Sequence, residues 1–174
     1  MFDDEASFGV YHDSRGRWIL EGETAPYRPT AKWAFSVRVW AAVGRKGRTP
    51  LFRIPKSMTA VAFAKFMSEK AVPALIDVAG DPRRLWRLVQ DGDGTHSARI
   101  TLQTLRDMGV RVVDPWPSRS PDLNLIENVW SMLGHAMERH HPQTEAGLWR
   151  ALQAAWKSIP QSKSTTALHP CRDD

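Results

Sequence analysis

The sequence predicts an α/β domain whose mixed sheet begins with antiparallel strands and continues with parallel ones. In the first third of the chain, apolar side chains alternate with other side chains, as is typical of half-buried strands. Further along, apolar residues recur at helical spacing, and short strand-like runs separate the helical segments. Strands that alternate with helices are connected as parallel neighbours, so we expect the later strands to be parallel.

Three early segments have strand character, and they span residues 17–20, 33–41 and 51–54. In the second of them, apolar and other side chains alternate as Trp33, Phe35, Val37 and Val39 against Ala34, Ser36, Arg38 and Trp40. A proline-bearing loop lies between the first two segments, and two glycines mark a turn before the third.

Helix and strand alternate after this point. Thr59 is the predicted N-cap of a helix over 60–72, which is expected to stop near Pro73. The apolar run at 85–90 returns to strand character. Ligands of such sheets gather at the carboxyl ends of the strands, so residues that follow this run are candidates for a site.

The second half of the chain continues this alternation. Ser97 is the predicted N-cap of a helix that Gly109 ends, and a strand follows at 110–113. A loop rich in proline and serine then leads into two helices, over about 125–139 and about 145–158.

Length and composition favour one globular domain. A chain of 174 residues can form one sizeable core, and its 42% hydrophobic share argues against disorder despite twelve prolines. The single cysteine excludes an internal disulfide and a multi-cysteine zinc site. No apolar run is long enough to span a membrane, and acids stand where a secretory signal would carry basic residues, so we expect an intracellular protein.

The net charge of +5 is compatible with a polyanionic partner such as nucleic acid, and a solvated basic surface is the alternative. Local basic clusters are formed by Arg45, Lys46, Arg48, Arg83, Arg84 and Arg87.

Three acidic residues stand out by their positions. Asp4 lies near the start of the chain, Asp91 follows the predicted strand 85–90, and Glu127 lies on the first turn of a predicted helix. Carboxylates that converge from different elements are what a pair of Mg²⁺ ions requires, because hard cations take oxygen ligands. Two such ions activate a water and stabilise a leaving oxygen, which is the chemistry of nucleases.

Each acid also has a structural interpretation. Asp4 could be a solvated acid on a frayed terminus, and Asp91 and Asp93 could be turn formers. Glu127 could close a capping box by bonding back to the amide of Asn124.

A calcium loop beginning at Asp91 is excluded, because Leu102 stands where the bidentate glutamate would be needed. A lone histidine before a helix, such as His96, is more often bonded to nearby backbone than to a metal, whereas His135, His140 and His141 are interpreted as surface residues.

Two motifs favour a catalytic role for these acids over the structural interpretations. Residues 90–98, "QDGDGTHSA", and residues 116–130, "WPSRSPDLNLIENVW", together closely resemble the catalytic domain of mariner-type transposases, within the DDE transposase and integrase superfamily. The resemblance extends over roughly residues 2–160. It implies that the catalytic, metal-binding acids are Asp4, Asp91 and Glu127, with 35 residues between the last two.

The resemblance also implies a ribonuclease H-like fold, in which a five-stranded mixed sheet has helices on both faces. Asp4 and Asp91 would lie on neighbouring strands, and Glu127 would approach from a helix. Ser131 and Gly134 follow Glu127 at helical spacing and would let that helix pack closely against the sheet.

The implied activity is hydrolysis of DNA at transposon ends, dependent on Mg²⁺ or Mn²⁺ and using two ions, followed by attack of the freed 3′-hydroxyl on target DNA. Asp93, His96 and Asn128 would be close neighbours of the metals, with Asp93 and His96 near phosphate or a metal-bound water. The implied partners are DNA and other transposase subunits, with no membrane and no small-molecule cofactor. The DNA-contacting residues stay unassigned, and the expected location is the nucleus of a eukaryote or otherwise the cytoplasm and nucleoid.

The sequence departs from the family pattern in several places. Only three residues precede Asp4, so we expect no helix-turn-helix module ahead of the catalytic domain, and a truncated first strand. Leu125 replaces a common proline, and Gly92 replaces a common asparagine. We therefore expect a catalytic domain over 1–160 and an irregular tail over 161–174.

Two other functions compete with an active transposase domain. One is an inactive remnant that binds DNA non-specifically through charge or pairs with a full-length transposase. The other is a general ribonuclease H-like nuclease that prefers RNA–DNA hybrids.

Overall fold

A computed structural model describes residues 1–10, 35–82, 86–113 and 124–160. The strands are β1 (Phe2–Val10), β2 (Phe35–Gly44), β3 (Gly47–Arg48) and β4 (Phe52–Ile54). The helices are α1 (Ala60–Phe66), α2 (Val72–Ala79), α3 (Gly94–Ser97), α4 (Arg99–Asp107), α5 (Leu125–Met137) and α6 (Glu145–Ser158), and a π-helical segment, Met67–Ala71, joins α1 to α2.

The sheet is organised around β2, which pairs antiparallel with β1, β3 and β4. Nine residue pairs join β1 to β2, from Phe2 opposite Val43 to Val10 opposite Phe35. Two isolated bridges extend the sheet in parallel sense, from Phe2 to Val89 and from Leu88 to Val112. The predicted mixed sheet is therefore confirmed, with the later segments parallel to their neighbours.

The expectation of a short first strand was wrong. β1 has nine residues because it continues beyond the acids, with Phe2, Ala6 and Phe8 packing against one core cluster. Asp3 and Asp4 lie within this strand rather than at its end.

Some predicted elements lie outside the described residues. They are the strand at 17–20, the loop that follows it, most of the proline-rich loop before α5, and the tail at 161–174.

The helix predicted over 60–72 continues past Pro73 to Ala79. The Val72 amide bonds to the carbonyl of Met67, five residues back, so the helix is widened just before the proline. A wider turn accommodates a residue that has no N–H and whose ring crowds the preceding turn. The sequence gives no sign of this π-helical segment.

The predicted helix after Ser97 is divided in two. Asp93, not Ser97, caps the short α3, and its carboxylate accepts a hydrogen bond from the Thr95 amide at 2.7 Å. The extended backbone of Ala98 separates α3 from α4. Gly109 ends this region with φ of 76°, the left-handed conformation expected of a glycine after a helix.

Helices cover both faces of the sheet. On one face, α5 and α6 pack on β1 and β2 through a buried cluster that includes Ile126, Leu133, Leu148, Leu152 and Trp156. On the other face, α1, the π-helical segment, α2 and α4 pack on β2 through a second cluster that includes Trp40, Phe63, Met67, Leu75 and Leu105. Within the described ranges, no helix has the length and apolar character needed to span a membrane.

Arg48 is part of the fold rather than of a free basic surface. Its guanidinium donates hydrogen bonds to the carbonyls of Trp156 and Ile159 at 2.8 and 2.7 Å, and lies 5.3 Å from the centre of the Trp156 ring. The Trp156 indole in turn donates to the Thr49 carbonyl at 3.0 Å. These bonds fasten the carboxyl end of α6 to the sheet, since the last carbonyls of a helix lack partners within it.

We expect Arg48→Met to lower the free energy of unfolding by about 1.5–3 kcal/mol, because two carbonyls lose bonds from a charged donor. Urea unfolding followed by circular dichroism measures the change. Arg45→Met is the matched control: Arg45 is exposed on the same hairpin, and its replacement should change the value by less than about 0.5 kcal/mol. Equal effects of the two substitutions would contradict this role of Arg48.

Candidate active site

The acids of β1 are divided between the two faces of the sheet because side chains alternate along a strand. Asp4 faces α5, where the indole of Trp130 donates a hydrogen bond to its Oδ2 at 3.1 Å. Asp3 and Glu5 face the opposite side, where Asp3 meets the indole of Trp40. Asp4 is half-buried and held by a fixed donor, not solvated on a frayed terminus.

Asp4 lies within electrostatic reach of the two other predicted acids. Burial raises the pKa of Asp4 to about 6, and the bonds from the Glu5 amide and the Trp130 indole oppose this rise. The negative charges of Glu127 and Asp91 raise the pKa further. The three predicted acids thus lie on neighbouring elements, namely β1, the loop after Val89 and α5.

Asp91 follows the segment that runs parallel to β1, as the family resemblance implied for neighbouring strands. Its Oδ1 accepts hydrogen bonds from His96 Nδ1 at 2.6 Å and from the Asp93 amide at 3.1 Å. The bond from His96 holds the pKa of Asp91 below its usual value. Asp91 is therefore a turn residue, as one interpretation held. Its exposed side chain is also held by the hydrogen bond with the buried His96.

Glu127 is exposed on the first turn of α5, beside the exposed Asn128. Its backbone amide bonds to the carbonyl of Asn124, but the Asn124 side chain makes no capping hydrogen bond. The capping-box interpretation was wrong: among the described residues the Glu127 carboxylate makes no bond to the Asn124 amide, and the buried Oδ1 of Asn124 has no partner either. The Glu127 carboxylate is not engaged by the cap.

Asp93 belongs to the turn, since its carboxylate caps α3. Gly92 and Gly94 flank it, and a Cβ built at either glycine would meet no atom within 4 Å. The loop that carries Asp91 therefore has open space around it.

His96 is buried, with 5% of its surface exposed, and its ring lies 4.6 Å from the Phe63 ring. Its Nδ1 contacts Asp91, and its Nε2 lies 3.7 Å from Glu5 Oε1. Burial lowers the pKa of His96, but the bond to Asp91, the nearby carboxylate of Glu5 and the charge of Asp3 outweigh it and raise the pKa to about 10. The interpretation of His96 as bonded to nearby backbone was wrong, because its ring nitrogens face carboxylates. Its expected place beside the metal-binding acids stays a prediction.

The sequence analysis did not single out Asp3, a buried acid on β1. Asp3 is 1% exposed and accepts hydrogen bonds from Trp40 Nε1 and Gln90 Nε2, both at 3.1 Å. Burial raises the pKa of Asp3 to about 7, and these bonds and the charge of His96 oppose the rise. The sequence of β2 contained a sign of this buried acid. Apolar residues occupy both faces of β2 after Arg38, so polar side chains on the strand paired with it are buried as well.

The small residues of α5 do not bring it closer to the sheet, contrary to the sequence prediction. Ser131 is exposed, and a Cβ at Gly134 would meet only open space. Both lie on the side away from the sheet, and Ser131 lines a groove of about 1240 Å³ between α5 and α6. His135, His140 and His141 are exposed, as predicted.

The donor chemistry suits a hard divalent cation. Asp4, Asp91 and Glu127 would supply only carboxylate oxygens, the ligands that hard cations prefer. In the part of the chain that the structure describes, however, no three histidine, cysteine or acidic side chains are grouped closely enough to hold a metal ion. The three acids therefore suit such a cation in ligand type and charge, but their side chains do not already form a coordination shell.

Comparison with known proteins gives a consistent result. The family model described as DDE superfamily endonuclease matches residues 1–148. The Tcb1 transposase of Caenorhabditis briggsae is 29% identical over 174 residues, which cover 97% of this chain and 62% of that protein. The Tc1 transposase of Caenorhabditis elegans is 27% identical over 168 residues, covering 93% and 60% respectively. The chain thus spans about three fifths of the length of these relatives.

Two solved structures show the same fold. The catalytic domain of Mos1 mariner transposase aligns with a TM-score of 0.65 at 18% identity, covering 80% of this chain and 70% of that one. A Mos1 transposase paired-end complex with the left transposon end aligns with a TM-score of 0.75 at 17% identity, covering 96% and 50%. The expected ribonuclease H-like class with a mixed sheet is confirmed, and the described residues form four strands of it.

We expect stability to fall as pH rises from about 6.5 towards 10, because His96 binds its proton more tightly in the folded state than in the unfolded state. The contribution of the protonated ring is complete below about 6.5 and is lost as pH passes its folded-state pKa. Urea unfolding at several pH values should show a shallower decline for His96→Gln than for the original chain. Parallel declines in the two proteins would show that His96 does not carry this linkage.

Proposed function

The chain belongs to the DDE superfamily endonucleases, and from that premise we propose that it is the catalytic domain of a Tc1/mariner-type transposase. The proposed activity is hydrolysis of DNA phosphodiester bonds at transposon ends, followed by joining of the freed 3′-hydroxyl to target DNA. Residues 1–160 would form this domain, and 161–174 a tail beyond it.

The observation that carries the proposal is the match of the DDE superfamily endonuclease model to residues 1–148, a range that includes all three predicted acids. The fold supports it by their placement: Asp4 lies on β1, Asp91 follows the segment parallel to β1, and Glu127 lies on the first turn of α5, which packs on β1. Carboxylates carried by neighbouring elements are suited to bind divalent cations.

Asp4, Asp91 and Glu127 are the proposed ligands of Mg²⁺ or Mn²⁺, with two ions expected. When bound, such ions supply charge stabilisation at phosphate and lower the pKa of water. The solved Mos1 complexes include one with Mg and one with Mn, which supports this choice of metals.

The chain's own residues orient this set. Trp130 fixes the Asp4 carboxylate through its indole N–H, and the Asp93 amide and His96 fix Oδ1 of Asp91. Among the described residues, no hydrogen bond occupies Oδ2 of Asp91, so this oxygen is available to a cation. The open space at Gly92 and Gly94 gives a DNA backbone room to approach.

The proposed partners are DNA at transposon ends and at the target, together with other transposase subunits. The net charge of +5 supports a polyanionic partner. The proposed location is the compartment that holds the host's DNA, which is the nucleus in a eukaryote.

We further propose that five strands make up the complete sheet. β3 and β4 pair with different stretches of β2 and would count as one interrupted strand. The segments at Leu88–Val89 and Val112 would be the fourth and fifth strands, which supports the count implied by the family resemblance.

We expect Asp91→Asn to reduce metal-dependent nicking of supercoiled plasmid DNA by about 100-fold or more, because a lost metal ligand costs several kcal/mol of transition-state stabilisation. Gel assays in Mg²⁺ and in Mn²⁺ measure the rate. Asp77→Asn removes an exposed acid of α2 that, among the described residues, has no hydrogen bond or ion pair with the predicted acids, and it should leave the rate unchanged.

Equal nicking by Asp91→Asn and by the original chain would contradict the assignment. DNA binding that weakens steeply with salt, without cleavage at any Mg²⁺ or Mn²⁺ concentration, would favour the inactive-remnant alternative instead. Faster cutting of RNA–DNA hybrids than of duplex DNA would favour a general ribonuclease H-like nuclease.

A further inference from the structure

A row of polar side-chain contacts leads through the protein to Asp91. The guanidinium of Arg38 on β2 forms an ion pair with Oε2 of Glu5 on β1. The other oxygen of Glu5 faces His96 Nε2 at 3.7 Å, and His96 Nδ1 contacts Asp91 Oδ1 at 2.6 Å. Arg38 is itself held at its outer end, since it donates to the Lys56 carbonyl at 2.7 Å.

The inner members of this row are buried, and its last member is not. The side chains of Glu5 and His96 are 10% and 6% exposed, whereas that of Asp91 is 54% exposed. Phe63 packs against the histidine ring, and Asp3 lies on the same side of the sheet. The buried part of the row therefore has a fixed position from which it can hold an exposed carboxylate.

Little else restrains that carboxylate. Asp91 lies in a loop whose glycines have open space beside them, and the Asp93 amide is its other hydrogen-bond donor among the described residues. Both donors bond to Oδ1, so the side chain is oriented while Oδ2 stays accessible. Partners that hold a metal-binding side chain in this way commonly set its orientation and its affinity for the ion.

We propose that Arg38, Glu5 and His96 are positioning residues that fix the Asp91 carboxylate for divalent-cation binding. This inference rests on the proposed function, since it takes Asp91 as a metal ligand. It also assigns separate tasks to the adjacent acids of β1: Asp4 is a ligand on the α5 face, and Glu5 orients a second ligand from the opposite face.

Calorimetric titration of the full chain with Mn²⁺ tests the proposal without relying on activity. We expect Glu5→Gln and His96→Gln to weaken Mn²⁺ binding by about 10- to 100-fold, as is usual for the loss of such partners. Plasmid nicking should show a matching fall in kcat with an unchanged KM for DNA. Urea unfolding identifies any variant that fails to fold.

Glu145→Gln is the matched control. It removes another ion pair between an arginine of the sheet and a glutamate, that of Arg53 with Glu145, which is exposed and has no connection to Asp91. Its Mn²⁺ affinity and kcat should equal those of the original chain. Arg38→Gln acts at the partly exposed outer end of the row, so it tests the proposal if Glu5→Gln unfolds, with a smaller effect in the same direction.

The outcomes separate this proposal from the proposed function. If Asp91→Asn abolishes nicking while Glu5→Gln, His96→Gln and Arg38→Gln match Glu145→Gln in Mn²⁺ affinity and kcat, the positioning role is overturned and the transposase function stands. If the original chain never cuts DNA but the same substitutions weaken Mn²⁺ binding, the positioning role is supported and the endonuclease function fails.

Discussion

The structure depends on accommodating three acids, one buried and two partly buried, within a strand that is covered on both sides. Asp3, Asp4 and Glu5 occupy consecutive positions of β1, and the two hydrophobic clusters lie on opposite faces of the sheet. An ionised carboxylate removed from water costs free energy unless charged or hydrogen-bonding partners compensate. The fold must therefore bring a partner to each acid, and it does so on both faces.

These partners connect the site to the rest of the molecule. Asp4 is bonded to α5 through Trp130, whose ring also stacks at 5.5 Å on that of Trp156 in α6. On the other face, Asp3 receives donors from β2 and from the residue before Asp91, while Glu5 meets His96. The packing of both helical layers and the geometry of the acids are therefore set by the same side chains.

Features set by residues close together in the sequence could be predicted, whereas features set by contacts between distant residues could not. α6 matched its predicted bounds because a local pattern, an apolar stripe after Thr144, determines it. The passage through Pro73 was missed because a π-helical turn has no local signature. Asp4, Asp91 and Glu127 were selected from a family resemblance, while the surroundings of His96 depend on Glu5, 91 residues away, and no local pattern shows such a contact.

Strand geometry explains why two neighbouring acids cannot share one task. Successive side chains of a strand point to opposite faces, so Asp4 and Glu5 can never coordinate the same ion from within β1. One of them must face the other layer, where it needs a cation or a donor of its own, and here Arg38 and His96 supply both. Because His96 also contacts Asp91, Glu5 still affects the site, although its own side chain faces the opposite layer. Strand geometry thus places Glu5 on the face opposite Asp4. There, through His96, it restrains the exposed Asp91, which the loop alone would hold loosely.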